Sequence, residues 1–218
     1  MFKRYQLVVF DWEGTIAENS LGYLLVALTK AAERLGLGTF DLPAARLLAP
    51  LGLATVVKKL FPLVAHHQQM ECINETHKIL AEFSNAVQLV PGVEKTIQWL
   101  AKSGMHLAIA SNKNAQGLAR VLQTSGLEPY FPITRTASDA PAKPCPQMMQ
   151  EILQAYAMQA HQTLMVGDSN SDMEMAHAIG VDAVGMDFYH VEEAELRAAG
   201  ALQVFDNYQD LMKYIKDN

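Results

Sequence analysis

Short apolar runs alternate along the chain with longer segments in which apolar residues recur every three to four positions. The continuous apolar runs predict β-strands buried on both faces, and they occur at Gln6–Phe10, His106–Ala110, Thr163–Val166 and Ala183–Met186. The periodic segments predict helices, and they occur at Val93–Ser103, Ala115–Ser125, Gln147–Tyr156 and Asp172–Ile179. A last strand at Val204–Phe205 and a closing helix at Gln209–Ile215 complete the pattern. This alternation predicts an α/β fold in which crossover helices join the strands of a Rossmann-like parallel sheet.

The segment from residue 18 to residue 86 breaks the alternation, because it holds helical patterns without a strong strand pattern. Its helical stretches are Leu21–Leu35, Ala54–Leu60 and Gln68–Phe83. The dipeptide Pro91-Gly92 then marks the return to the sheet. We therefore predict two domains: a sheet core formed by residues 1–17 and 87–218, and an inserted helical domain formed by residues 18–86.

Composition narrows the range of partners. The 218-residue chain has a formal net charge of −6, which disfavours a nucleic-acid binder because such proteins present basic surfaces. The apolar stretch Leu21–Leu28 is much shorter than the roughly 20 residues that cross a bilayer, so no membrane partner is expected. The 2 cysteines are too few for a disulfide scaffold and favour a reduced, cytoplasmic protein. The oligomeric state is left open.

Polar residues follow the first two predicted strands, at the edge where an open parallel sheet binds its ligands. Asp11 begins the segment DWEGT directly after the first strand, where chemistry is expected, although it could also only cap a turn. Ser111 and Asn112 follow the second strand. A hydroxyl there, together with the N–H groups that open the next helix, suits a phosphate oxygen. Ser111 could equally be a plain helix N-cap.

Two further segments carry charged side chains that could take part in chemistry. Lys143 lies in a proline-rich segment just before a helix, where it could neutralise an anion or simply point into water. Asp168 and Asp172 lie four residues apart at a loop-to-helix junction, so their carboxylates can face one point. Hard oxygen ligands of this kind suit Mg²⁺. Together with Asp11 and Ser111, these residues supply what phosphoryl transfer needs: a nucleophile, a metal and donors for the equatorial oxygens.

With these motifs, the chain resembles the haloacid dehalogenase superfamily, specifically its phosphatases with an inserted α-helical cap. The similarity to the phosphoglycolate phosphatase-like branch lies in segments 51–53, 60–62, 143–148 and 165–168. The resemblance implies an Mg²⁺-dependent phosphatase that hydrolyses a small phosphorylated metabolite. It also implies that the helical insert closes over the substrate and excludes bulk water. A phosphomutase with the same centre is a close variant.

The resemblance also implies a role for each motif residue. Asp11 attacks phosphorus and forms an aspartyl-phosphate. Ser111, Asn112 and Lys143 bind the transferred phosphoryl group. The magnesium ligands are Asp11, the backbone carbonyl of Glu13 and Asp168, with Asp172 orienting them from outside.

Glu13 departs from the family pattern, in which an aspartate at this position acts as general acid and then as general base. Its backbone carbonyl can still bind a metal, but the additional methylene moves its carboxyl by about one ångström unless the chain adjusts. Misplacement on this scale can lower a rate by about 10²-fold, so we expect Glu13→Asp to raise turnover. The alternative is a catalytically weakened protein that binds a phosphorylated ligand or partner.

Overall fold

The computed structural model describes residues 4–49, 52–83, 87–190 and 192–218. Leu51, at the start of one segment that carries the family resemblance, and Ala86, at the predicted end of the insert, lie outside these residues. The chain divides into two compact units. One consists of Met1–Ala17 and Leu89–Asn218, and the other is Glu18–Gln88.

The first unit is built on a six-stranded parallel sheet with the strand order β3-β2-β1-β4-β5-β6. The strands are β1 (Leu7–Phe10), β2 (His106–Ser111), β3 (Ile133–Thr136), β4 (Thr163–Gly167), β5 (Asp182–Met186) and β6 (Val204–Phe205). The strand order reverses beside β1, and an open parallel sheet binds ligands at the carboxyl ends of the strands next to such a reversal. The predicted α/β fold with a Rossmann-like parallel sheet is confirmed.

Helices connect these strands and form the second unit. The second unit holds α1 (Ser20–Arg34), α2 (Leu42–Leu48), α3 (Leu53–Leu60) and α4 (His66–Phe83). The first unit holds α5 (Val93–Lys102), α6 (Ala115–Ser125), α7 (Gln147–Tyr156), α8 (Asn170–His177), α9 (Glu193–Ala198) and α10 (Tyr208–Asp217). Among the described residues, no helix combines the length and the apolar character needed to span a bilayer.

The centre of the sheet explains why the first strand is so strongly apolar. All four residues of β1 are fully buried, because neighbouring strands lie on both sides and helices cover a parallel sheet on both faces. The register aligns Phe10 at the end of β1 with Val166 near the end of β4. The residues that follow these two strands therefore emerge side by side.

Three of the strands and α-helices given above were not predicted, and each has a weak sequence signal. The strand β3 lies at the edge of the sheet and is only partly buried, so Ile-Thr-Arg-Thr replaces a continuous apolar run. The helix α2 contains Pro43 in its first turn, where proline starts a helix rather than ends one. The helix α9 has six residues, too few to show a helical period.

Candidate active site

The loop after β1 is fixed by its backbone and by a glycine. The Asp11 N–H donates to the Val166 carbonyl at 2.9 Å, which continues the sheet register into the loop. Gly14 has φ +78°, and a Cβ on this residue would lie 1.8 Å from the Oδ2 atom of Asp168. Only glycine therefore lets the β1 loop approach the carboxylate that follows β4. The Thr15 hydroxyl donates to Asp168 Oδ1 over a longer distance of 3.4 Å.

A buried lysine lies between two buried carboxylates. The Nζ atom of Lys143 is 2.7 Å from Asp11 Oδ1 and 2.6 Å from Asp172 Oδ1. The contact with Asp172 is a hydrogen bond, whereas the contact with Asp11 is a close ion pair without hydrogen-bond geometry. Within the described ranges, this Asp11 oxygen is buried without a hydrogen-bond partner. An oxygen of this kind is available to a further ligand.

Asp172 is held from its other side by the start of α8. Its Oδ2 atom accepts hydrogen bonds from the Ser169 backbone N–H at 3.1 Å and from the Ser169 hydroxyl at 2.7 Å. A Cβ on Gly167 would lie 2.4 Å from the Asp172 side chain, so the end of β4 also requires a glycine. Asp172 therefore uses one oxygen for the helix start and the other for Lys143. The residue serves the helix N-terminus and the charged cluster together.

The residues after β2 hold Lys143 in place. The Asn112 side chain accepts a hydrogen bond from the Lys143 N–H at 2.8 Å and donates to the Lys143 carbonyl at 3.5 Å. Ser111 is 2% exposed, and its hydroxyl accepts a hydrogen bond from the Lys113 N–H at 3.3 Å. The amide of Asn112 thus positions a lysine backbone, and phosphate binding by Ser111 and Asn112 stays a prediction.

Glu13 points outward from the cluster and has a partner that the sequence did not reveal. The Glu13 side chain is 57% exposed, and its Oε1 atom lies 2.5 Å from Lys113 Nζ. In the sequence, the one feature that bears on this contact is that Lys113 lies two residues after Ser111, at the same edge of the sheet as Glu13. A pairwise contact across two loops leaves no periodic pattern from which it could be predicted.

Tyr208, on the last helix, supports the loop after β1. The hydroxyl of this fully buried side chain donates to the Thr15 carbonyl at 2.8 Å. Burial, followed by the charges of Asp168 and Asp11, raises the pKa of Tyr208 well above its ordinary value. The hydroxyl therefore stays a donor, and the loop keeps this support across the physiological pH range.

The electrostatics of the cluster favour a cation. Burial raises the pKa of Asp168 to about 8, and the charges of Asp11 and Asp172 add to this effect. Burial also raises the pKa of Asp11 to about 6, against the opposing charge of Lys143. Burial alone would lower the pKa of Lys143, but the carboxylates of Asp11 and Asp172 raise it above its usual value. Negative charge is in excess, because one ammonium faces several carboxylates.

The same residues could hold a metal ion. Carboxylate oxygens of Asp11, Asp168 and Asp172 lie within 4.8 Å of one another. Carboxylates are hard ligands suited to Mg²⁺ or Ca²⁺, and the buried Asp11 oxygen that is ion-paired with Lys143 but accepts no hydrogen bond leaves room for such an ion. Asp172 already uses both oxygens, which suits it to a supporting position rather than direct binding.

Comparisons with known proteins agree with the fold. The model of the haloacid dehalogenase-like hydrolase family matches residues 8–186. A phosphoglycolate phosphatase of Mannheimia succiniciproducens is 26% identical over 230 residues, covering 99% of this chain and 100% of the relative. A phosphoglycolate phosphatase of Rhodospirillum rubrum is 28% identical over 214 residues, covering 94% of this chain and 88% of the relative.

Solved structures show the same fold. A predicted phosphoglycolate phosphatase from Haemophilus somnus has a TM-score of 0.64 at 22% identity, with coverage of 98% of this chain and 99% of that one. A HAD-superfamily hydrolase from Geobacter sulfurreducens has a TM-score of 0.62 at 20% identity, with coverage of 98% and 97%.

Fold, charged cluster and relatives together define a hydrolase. The chain belongs to the haloacid dehalogenase-like hydrolase family, whose model spans both the β1 loop and the β4 loop. The predicted resemblance is therefore confirmed, and so is the predicted enzyme class, a phosphatase of the HAD type.

Replacing Lys143 by methionine should strongly destabilise the protein. The substitution keeps the length of the side chain but leaves two buried carboxylates without their ammonium, and breaking a buried ion pair costs about 3–5 kcal/mol. Urea denaturation measures the free energy of unfolding. Lys102→Met, at an exposed position in the last turn of α5, is the matched control and should change it by less than about 0.5 kcal/mol. Equal stability of the two variants would contradict the structural role of Lys143.

The stability of the metal-free protein should fall as the pH rises from 6 to 8. Burial raises the pKa of Asp168 from its ordinary value of 3.8 to about 8 in the folded protein, so between pH 6 and 8 the folded state binds a proton that the unfolded state does not. One such proton gives a slope of up to about 1.4 kcal/mol per pH unit. Asp168→Asn removes this group, so its slope should be flatter and its metal-free stability at pH 8 higher.

The control for this pH dependence is the exposed Asp217 near the end of α10. Asp217→Asn should keep the slope of the wild-type protein, because this carboxylate lies outside the buried cluster. Chemical denaturation at several pH values in the presence of a chelator gives both slopes. A wild-type slope in the Asp168→Asn variant would show that another group causes the pH dependence.

Proposed function

We propose that this protein is an Mg²⁺-dependent phosphatase that hydrolyses a small phosphomonoester of the phosphoglycolate type through an aspartyl-phosphate. The observation that carries the proposal is the buried Lys143 ammonium between Asp11 and Asp172, with Asp168 beside them, at the carboxyl ends of the central strands. The curated phosphoglycolate phosphatases that align with nearly the whole chain support the same substrate class.

Asp11 is the proposed nucleophile. A carboxylate oxygen of Asp11 attacks phosphorus, the ester P–O bond breaks, and the leaving alkoxide takes a proton from the carboxyl of Glu13. Water then attacks the phosphorus of the aspartyl-phosphate and gives one proton to the Glu13 carboxylate. The P–O bond to Asp11 breaks, which regenerates the Asp11 carboxylate and releases inorganic phosphate. The Lys143 ammonium supports the first step, because its charge opposes the effect of burial and favours the ionised form of Asp11.

The proposed phosphoryl site uses residues that the fold already holds rigidly. Lys143 presents its ammonium next to Asp11, with its backbone fixed by the Asn112 amide. The Ser111 hydroxyl lies at the end of the adjacent strand β2. These donors carry no catalytic proton. Their contribution is to bind the oxygens of the phosphoryl group and orient it toward Asp11.

The proposed magnesium ligands are Asp11, Asp168 and the backbone carbonyl of Glu13, with Asp172 fixed outside them. When bound, the ion supplies positive charge that neutralises the phosphoryl oxygens during transfer. The replacement of aspartate by Glu13 does not affect this set, because the ligand at that position is a backbone atom. The excess of negative charge around Lys143 supports cation binding.

We also propose that the helical unit Glu18–Gln88 is the cap implied by the family. Its support is its place in the chain, since it is inserted between β1 and the rest of the sheet unit. In this role the unit would select the metabolite. A cytoplasmic location also stays a prediction.

Asp11→Asn should abolish phosphatase activity and leave the fold intact. The amide keeps the shape of the side chain but cannot act as the nucleophile, so turnover should fall by at least about 10³-fold. The measurement is turnover of a panel of phosphorylated metabolites with and without Mg²⁺, together with circular dichroism on the same preparation. Asp217→Asn serves as the control and should keep full activity.

The same panel separates the phosphatase from the weakened binding protein. A phosphatase turns over at least one metabolite and loses this activity when a chelator removes Mg²⁺. A protein that binds phosphorylated ligands in saturable fashion but hydrolyses none of them would contradict the proposed phosphatase. Substantial activity in a folded Asp11→Asn variant would contradict the assignment of the nucleophile.

A further inference from the structure

The ion pair between Lys113 and Glu13 joins the loops that follow the neighbouring strands β2 and β1. The Lys113 Nζ and Glu13 Oε1 atoms are 2.5 Å apart. The lysine side chain is 23% exposed, whereas the glutamate side chain is 57% exposed. Lys113 is thus the more buried partner of the pair, and Glu13 is the more exposed one. More than half of the glutamate side chain is exposed, so solvent can reach its carboxyl.

We propose that Lys113 is a positioning residue that holds the Glu13 carboxyl in place for proton transfer. This inference rests on the proposed phosphatase function. Glutamate has one more rotatable bond than the aspartate of the family pattern, so an unrestrained carboxyl would visit many positions. A charged partner at 2.5 Å selects one of them. Lys113 thus offsets the additional methylene that made Glu13 a misplaced acid when the sequence was considered alone.

The backbone of Lys113 is itself anchored, which a positioning residue requires. Its N–H donates to the Ser111 hydroxyl at 3.3 Å, and its carbonyl accepts a hydrogen bond from the Ala137 N–H at 3.2 Å. The loop around Glu13 is anchored as well, because the Gly14 N–H donates to the Ala17 carbonyl at 2.7 Å. Hydrogen bonds therefore fix the backbone at both ends of the ion pair, at Lys113 and in the loop that carries Glu13.

The pair contributes little to the stability of the fold. Ion pairs between solvent-accessible side chains stabilise proteins by about 0–1 kcal/mol. Glu13 is more than half exposed, so removing Lys113 should leave the melting temperature nearly unchanged. An effect of Lys113 on turnover would then come from the position of the carboxyl rather than from partial unfolding.

The pair also reverses the outcome expected for Glu13→Asp. The sequence alone predicts a gain in turnover, because aspartate matches the family pattern. In the structure, the Glu13 carboxyl reaches Lys113, and the shorter aspartate side chain is expected to lose this contact. We therefore expect Glu13→Asp to lower turnover of alkyl phosphates.

The experiment compares two substrates that differ in their need for an acid. An alkyl phosphate leaves as a strongly basic alkoxide and requires a proton, whereas nitrophenyl phosphate departs with little help. Lys113→Met should lower kcat for phosphoglycolate, an alkyl phosphate, by about 3- to 5-fold, the most that a pair of up to about 1 kcal/mol can supply, and for nitrophenyl phosphate by less than about 1.5-fold. The KM values should change little. Lys113→Arg keeps the ion pair and should retain activity, and Lys102→Met is the matched control.

A double-mutant cycle tests whether Lys113 acts through Glu13. Glu13→Gln removes the carboxyl that exchanges the proton. The double variant with Lys113→Met should therefore have a kcat less than about 2-fold below that of Glu13→Gln alone. If the losses in kcat caused by the two single substitutions multiply in the double variant, the positioning role is overturned. Equal losses of kcat on both substrates would also overturn it, because they would indicate that Lys113 contacts the phosphoryl group directly.

The outcomes also separate this inference from the proposed function. An active wild-type enzyme with an unaffected Lys113→Met variant overturns the positioning role alone. Higher turnover of phosphoglycolate by Glu13→Asp than by the wild-type enzyme overturns it too. If the wild-type protein hydrolyses neither substrate, the positioning role is overturned. If it also hydrolyses no metabolite of the panel, the proposed phosphatase function is overturned as well.

Discussion

The site depends on one buried ammonium. Lys143 balances the carboxylates of Asp11 and Asp172, and a buried charge is tolerated only when it is paired. The three residues come from different segments, namely the loop after β1, the approach to α7 and the first turn of α8. One side chain therefore joins these segments at the edge of the sheet. The same charge favours the ionised form of Asp11, the proposed nucleophile.

The surrounding residues keep this arrangement in one position. Gly14 and Gly167 provide the space in which Asp168 and Asp172 lie beside the backbone. Asn112 fixes the lysine backbone by bonding both its N–H and its carbonyl. In these contacts the residues act by positioning the charged groups. The distances between the charged groups are therefore set by the backbone, which is more rigid than long side chains.

The sequence predicted the parts of the molecule that leave a regular or local signal. The β1 run is apolar because it is buried at the centre of the sheet, and Asp11 and Asp168 stand out because they follow such runs. Edge strand β3 was missed because half-buried strands carry polar residues. The contacts of Lys113 and Tyr208 were missed for another reason. Each joins residues far apart in sequence, and a single chain carries no pattern that pairs them.

The hydrogen bond from Tyr208 to Thr15 links positions 193 residues apart. A ribosome extends the chain from the N-terminus, so the loop after β1 is made long before the tyrosine that supports it. The hydrogen bond that supports the loop can form only after the last helix has emerged and docked. Fusions or truncations near that helix would therefore act on the opposite end of the chain, at the first strand.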